Sequence, residues 1–197
     1  MTVNLATGSA TNVNNGAAGA VTNIQNVLGS ATGTNILTGD AQGNILIGGS
    51  GANTLVGGSG GSLLIGGSGN GRITGGSRSD ILIAGTTTYN ATTTAGQDAL
   101  MSILAELQSA DTFAQKVSDL INGNASGGGS DLNGGNKLTW GGSSPTVKAS
   151  TGAFTLSGDP SASSAADWFF SNAFSAVKDF NDDGVKDEHN NNSLGVF

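Results

Sequence analysis

Between residues 30 and 83 an aliphatic side chain returns every ninth position, set among glycine, serine, threonine and asparagine. In register the rows are SATGTNILT (30–38), GDAQGNILI (39–47), GGSGANTLV (48–56), GGSGGSLLI (57–65), GGSGNGRIT (66–74) and GGSRSDILI (75–83). The eighth position reads Leu37, Leu46, Leu55, Leu64, Ile73 and Leu82; the sixth reads Asn35, Asn44, Asn53, Ser62, Gly71 and Asp80. Fixed-period self-similarity of this kind marks a repeat architecture in which each unit buries its apolar residue against the next. Residues six to nine of a row predict a short strand, and the Gly-rich remainder a turn. Side chains alternate along a strand, so an inward eighth residue leaves the seventh and ninth outward.

If each row is half a coil, alternate rows fall on the same sheet, and six rows make three coils spaced about 4.8 Å apart. The two sheets then differ outside. One carries Ile45, Ile47, Leu63, Ile65, Ile81 and Ile83; the other carries Ile36, Thr38, Thr54, Val56, Arg72 and Thr74. The six-residue aliphatic patch must be covered or used, so it is either a helix-docking face or an assembly face. Residues 94–122 supply a cover. Thr94 and Gln97 have capping-box spacing, and Leu100, Ile103, Leu104 and Leu107 form one helical stripe. A second helix follows with Ser109 or Asp111 as N-cap, a stripe of Phe113, Val117, Leu120 and Ile121, and Asn122-Gly123 as its stop.

Beyond a Gly/Ser/Asn loop at 124–136, alternating stretches at 137–140, 146–150 and 153–156 predict further strands. Asp167-Trp168-Phe169-Phe170 with Phe174, Val177 and Phe180 supplies a small aromatic core. The expected fold is mainly β: a short parallel β-roll or β-solenoid with a helical hairpin insertion and an irregular β-rich C-terminal part. Its divisions are lead-in strands at 1–29, the nonapeptide roll at 30–85, the hairpin at 86–123 and a C-terminal cap at 124–197.

Composition narrows the function. The chain has 197 residues, 34 of them Gly and 2 Pro, no Cys, and a net charge of −7. Few cations make nucleic acid a poor partner, and no apolar run reaches the roughly 18 residues of a membrane span. Residues 1–20 lack the basic and apolar regions of a Sec-type signal peptide. Without Cys there is no thiolate chemistry, and the one histidine, His189, lies in a polar loop with no nucleophile beside it. An enzyme is not expected.

Two segments bear on metal. The nonapeptide rows, followed by residues 81–111 and later by Asp-Trp-Phe-Phe at 167–170, resemble the C-terminal region of RTX-like, hemolysin-type calcium-binding secreted bacterial proteins. The lead-in TVNLATGSATNVNN and NIQNVLGS is similar to theirs as well. The resemblance implies calcium between turns, held by an Asp at the sixth position and by backbone carbonyls. Only Asp80 carries that Asp over; Asn35, Asn44 and Asn53 match its place but not its charge. Side-chain hydrogen-bond ladders between coils are the expected substitute for the ion. Calcium, the one candidate cofactor, is expected instead in Asp179–Asn190, which resembles the loop of thrombospondin type 3-like and dockerin-like repeats. There Asp179, Asn181, Asp183, Val185, Asp187 and Asn190 take the ligand positions.

The leading expectation is therefore a non-enzymatic secreted structural protein that self-assembles, head to tail or laterally, into an extracellular fibre or surface matrix. The partner is the protein itself. Export by a type I-like route is compatible with the terminal Leu194-Gly195-Val196-Phe197 after an acidic stretch. The alternatives are a monomeric calcium-binding or export module and an adhesin using the Thr-rich sheet.

Overall fold

The computed structural model describes residues 1–13, 19–123, 131–158, 165–171, 176–178 and 188–191. Strands β1 (Thr2–Asn4), β2 (Ser9–Thr11), β3 (Gly19–Ala20) and β4 (Asn26–Leu28) lead in. The six rows then form β5 (Asn35–Thr38), β6 (Ile45–Ile47), β7 (Ala52–Gly58), β8 (Leu63–Ile65), β9 (Asn70–Gly76) and β10 (Ile81–Ile83). After β11 (Gly85–Thr87) come helices α1 (Thr94–Leu107) and α2 (Phe113–Asn122). The chain ends with β12 (Val147–Ala149), β13 (Phe154–Ser157), β14 (Trp168–Ser171), β15 (Ala176–Lys178) and β16 (Glu188–Asn191).

Alternate rows pair in parallel at a separation of eighteen residues: Leu37 with Leu55 and Leu55 with Ile73 in one sheet, Leu46 with Leu64 and Leu64 with Leu82 in the other. The first sheet has the order β15-β13-β9-β7-β5-β1-β2-β3, and the second β16-β14-β10-β8-β6-β4. All six eighth-position residues are completely buried in one cluster between the sheets, together with Val27, Leu156 and Phe169. Burying a side chain of this kind is worth about 1.5–3 kcal/mol.

The C-terminal part is more regular than the sequence suggests. Strands β13 and β14 continue the sheets beyond the hairpin: Leu156 pairs with Ile73 and Phe169 with Leu82, extending both eighth-position columns. Strands β15 and β16 add one more rung to each sheet. Asp167-Trp168-Phe169-Phe170 is thus a further row without its glycine lead. Within 137–140 only Trp140 makes a strand contact, an isolated bridge to Val147, while β12 pairs with β11 in a separate two-stranded sheet.

The helix caps differ from those expected: Thr93 stands one position before Thr94, and Thr112 one position after Asp111 and three after Ser109. Thr93 caps α1 by accepting the Gly96 N–H, and Thr112 caps α2 in a reciprocal capping box with Gln115. Threonine outcompetes Ser109 and Asp111 because Gln115 stands three residues after it and completes the box. Gly123 closes α2 in the left-handed region at φ 82°.

Candidate functional sites: a covered face, a side-chain ladder and an acidic cluster

The aliphatic sheet face is covered by the chain's own hairpin. Ile45, Leu63, Ile65, Ile81 and Ile83 are buried and Ile47 is partly buried, in one cluster with Leu100, Ile103, Leu104, Leu107 and Leu120 of the helices. Phe113 and Val117 pack at its edge, whereas Ile121 points to solvent. The layer continues over β14, where the Trp168 and Phe170 rings pack tilted at 48° with 4.5 Å between centroids. These six aliphatics are therefore an internal layer and not a free surface.

At the sixth position, side chains bond from one row to the next in the same sheet. Asn35 Nδ2 donates to Asn53 Oδ1 at 2.8 Å, and Asn53 Nδ2 donates in turn to the Gly49, Gly51 and Gly66 carbonyls. On the other sheet the Asn44 N–H donates to Ser62 Oγ, the Ser62 N–H to Asp80 Oδ1 at 2.6 Å, and the Asp80 N–H to Asp167 Oδ1 at 2.7 Å. Asp80 also accepts the Gly76 N–H through Oδ2. A buried polar group is tolerated when its hydrogen bonds are made, and here the partners are peptide groups of neighbouring turns. Row five lacks a side chain for a steric reason. Gly71 sits at φ 144°, and a Cβ there would run into the Asn53 carbonyl oxygen.

Of the calcium-loop residues, Asp179, Asn181, Asp183, Val185 and Asp187 lie outside the described residues, and the backbone of Asn190 belongs to β16. The described residues bring together a different acidic group. Glu106 near the end of α1, Asp111 in the connection and Asp119 on α2 each place a carboxylate oxygen within 4.8 Å of the other two. Glu106 is 0 % and Asp119 1 % exposed. Glu106 Oε2 accepts the Leu132 N–H at 2.8 Å, while Oε1 is buried without a hydrogen-bond donor. Burial raises the Glu106 pKa above the usual carboxylate range; the charges of Asp119 and Asp111 push the same way, and the Leu132 N–H opposes them.

Lys116 is the neighbouring cation. Its ammonium donates to the Leu107 carbonyl at 2.8 Å, and burial lowers its pKa against the pull of Asp111 and Glu106. The sequence held one sign of this cluster: Glu106 follows Ile103 by three residues and so falls on the apolar stripe of α1. That three acids from two helices and their connection would converge was not visible in linear spacing.

Among the described residues, β4 forms an end of the second sheet with no partner on its outer side. Gln25 O accepts from Ile45 N and the Gly29 N–H donates to Ile47 O, so the odd residues of β4 bond inward to β6. In a parallel ladder the intervening residues face the other way, which turns the N–H and C=O groups of Asn26 and Leu28 outward. No described strand pairs with that edge. Leu28 is 47 % exposed and lines a groove of about 230 Å³ with Ile47, Leu100 and Met101.

No family model, curated protein or solved structure matches the chain. Among the described residues no helix is long and apolar enough to cross a membrane.

Proposed function

We propose that the chain is a non-enzymatic, secreted structural protein, an RTX-like β-roll whose copies join through the ends of the two-sheet stack into an extracellular fibre or surface matrix. The observation that carries this reading is the open edge of β4. Its outward peptide groups and the exposed Leu28 offer a template for another strand, the feature that isolated soluble proteins normally blunt with charge, proline or a covering segment. Because the hairpin covers the aliphatic face, the reading places assembly at the ends of the stack and not on its flank. A heterologous contact of this kind propagates when it does not close on itself.

Leu28→Pro tests the reading with little harm to the monomer. Proline removes an N–H that faces away from β6, and the preceding Val27 is already extended, as proline requires. Wild-type protein is expected to form filaments by negative-stain microscopy and large species by light scattering, while Leu28→Pro stays monomeric with an unchanged circular dichroism spectrum. Wild-type protein that remains monomeric across a wide concentration range would refute assembly.

A second reading, a monomeric calcium-binding module of an RTX-like protein, draws its support from the Glu106, Asp111 and Asp119 cluster.

A further inference from the structure

We propose that Glu106, Asp111, Asp119 and Asn133 form a divalent-cation site, of calcium type, that fastens the α1–α2 hairpin to the segment following it. The inference deepens the calcium-module reading but places the ion in the hairpin, and it is independent of assembly.

The acids alone would not carry it, because clustered carboxylates are common at surfaces. Here two of the three acids are buried and Asp111 partly so, and a further buried oxygen belongs to a residue bonded to them. Asn133 is 0 % exposed. Its main-chain N–H is directed at the Glu106 carboxylate, and its amide Nδ2 donates to the main-chain carbonyl of Asp119 at 2.8 Å and of Asn136 at 3.0 Å. Asn133 thus meets Glu106 through its main chain and the Asp119 main chain through its amide. The amide's orientation is fixed as well, since turning it over would set oxygen against both carbonyls. Asn133 Oδ1 is then a buried acceptor with no donor, as is Glu106 Oε1.

An oxygen buried without a donor loses its hydration for no return, and for an ionised carboxylate the loss is far greater. Two such oxygens beside further carboxylates describe a place suited to positive charge. Lys116 feels the charges of Asp111 and Glu106, while its ammonium donates to the Leu107 carbonyl. The donor set is all oxygen, carboxylate and amide, which suits a hard cation and offers nothing to soft metals. Carboxylate oxygens of Glu106, Asp111 and Asp119 within 4.8 Å of one another are close enough to share one ion, with Ca–O distances of about 2.3–2.6 Å.

The position gives the ion a structural task. Glu106 belongs to α1, Asp111 to the connection, Asp119 to α2 and Asn133 to the segment that returns toward the sheet. One ion would tie all four to the helical layer that covers the aliphatic face.

The alternative is a proton: Glu106 could stay protonated and leave the site closed to metal. Calorimetric titration of the chelator-stripped full chain with CaCl2, together with thermal melting, separates the two. Asp183→Asn serves as a control for any calcium held by the C-terminal loop. The expected result is a calcium-binding heat that survives Asp183→Asn and disappears in Glu106→Gln and in Asp111→Asn. Melting temperature should rise with calcium in the wild type but not in Glu106→Gln. Without calcium, Glu106→Gln should melt no lower than the wild type, because it removes a buried charge while keeping the shape; that excludes simple misfolding. Absence of any calcium heat, or a heat unaffected by Glu106→Gln and Asp111→Asn, would overturn the site. Loss of the heat in Asp183→Asn alone would assign calcium to the C-terminal loop and overturn it too.

Discussion

Asn53→Leu is expected to lower the unfolding free energy by about 3–5 kcal/mol, read from urea denaturation. Asn53 is the most connected side chain of the ladder: its oxygen accepts from Asn35 Nδ2 and the Gly49 N–H, and its Nδ2 serves three carbonyls. Leucine is close to it in size but makes none of these bonds, so the cost is that of buried peptide groups left without partners, at about 1–3 kcal/mol each and less than additive. Asn53→Asp, which restores the residue expected of a calcium-binding row, is also destabilising in chelator. A carboxylate cannot donate to the Gly49, Gly51 and Gly66 carbonyls. If Asn53→Asp were as stable as the wild type without calcium, the ladder would not be the source of order assigned to it.

The second large effect concerns Phe169→Ala, expected to cost about 3–5 kcal/mol. Phe169 is completely buried between the sheets, pairs with Leu82 and extends the eighth-position column into the C-terminal part. Truncation leaves a cavity in the interior between the sheets, where Leu82 and Leu156 belong to the same buried cluster. The comparison is Ile36→Ala, 42 % exposed on the outer face of the first sheet, which is expected to shift stability by no more than about 0.5 kcal/mol. A small effect at Phe169 would mean that β14 is an appendage and not a rung.

Much of this organisation is legible in the sequence because period and sidedness are properties of a line of residues. The return every nine residues of Leu37, Leu46, Leu55, Leu64, Ile73 and Leu82 sets the interior column, and the flanking isoleucines foretell a face needing cover. The stripes of α1 and α2 point to what covers it. The ladder was legible in kind, since Asn and Ser can both donate and accept where Asp only accepts.

What escaped the sequence depends on contacts across long intervals. Asp167 occupies the sixth position of a row that lacks the Gly-Gly lead and pairs with a strand 87 residues earlier, so no fixed period reveals it. The caps at Thr93 and Thr112 were missed because neighbouring residues offered equally good side chains, and only the local turn decides between them. The acidic cluster is assembled by the crossing of two helices, a tertiary fact that leaves in the sequence only the misplaced charge of Glu106 on an apolar stripe.

The central claim is that the stacked rows hold their order through packing and side-chain ladders, without an ion in the turns. Amide hydrogen exchange of the monomeric protein in excess EGTA, compared with saturating calcium, tests it most directly. The account predicts that strands β5 to β10 keep full protection in EGTA, and that calcium changes exchange in α1, α2 and residues 131–136. Unprotected strands and a random-coil spectrum in EGTA, with folding only when calcium is added, would contradict it.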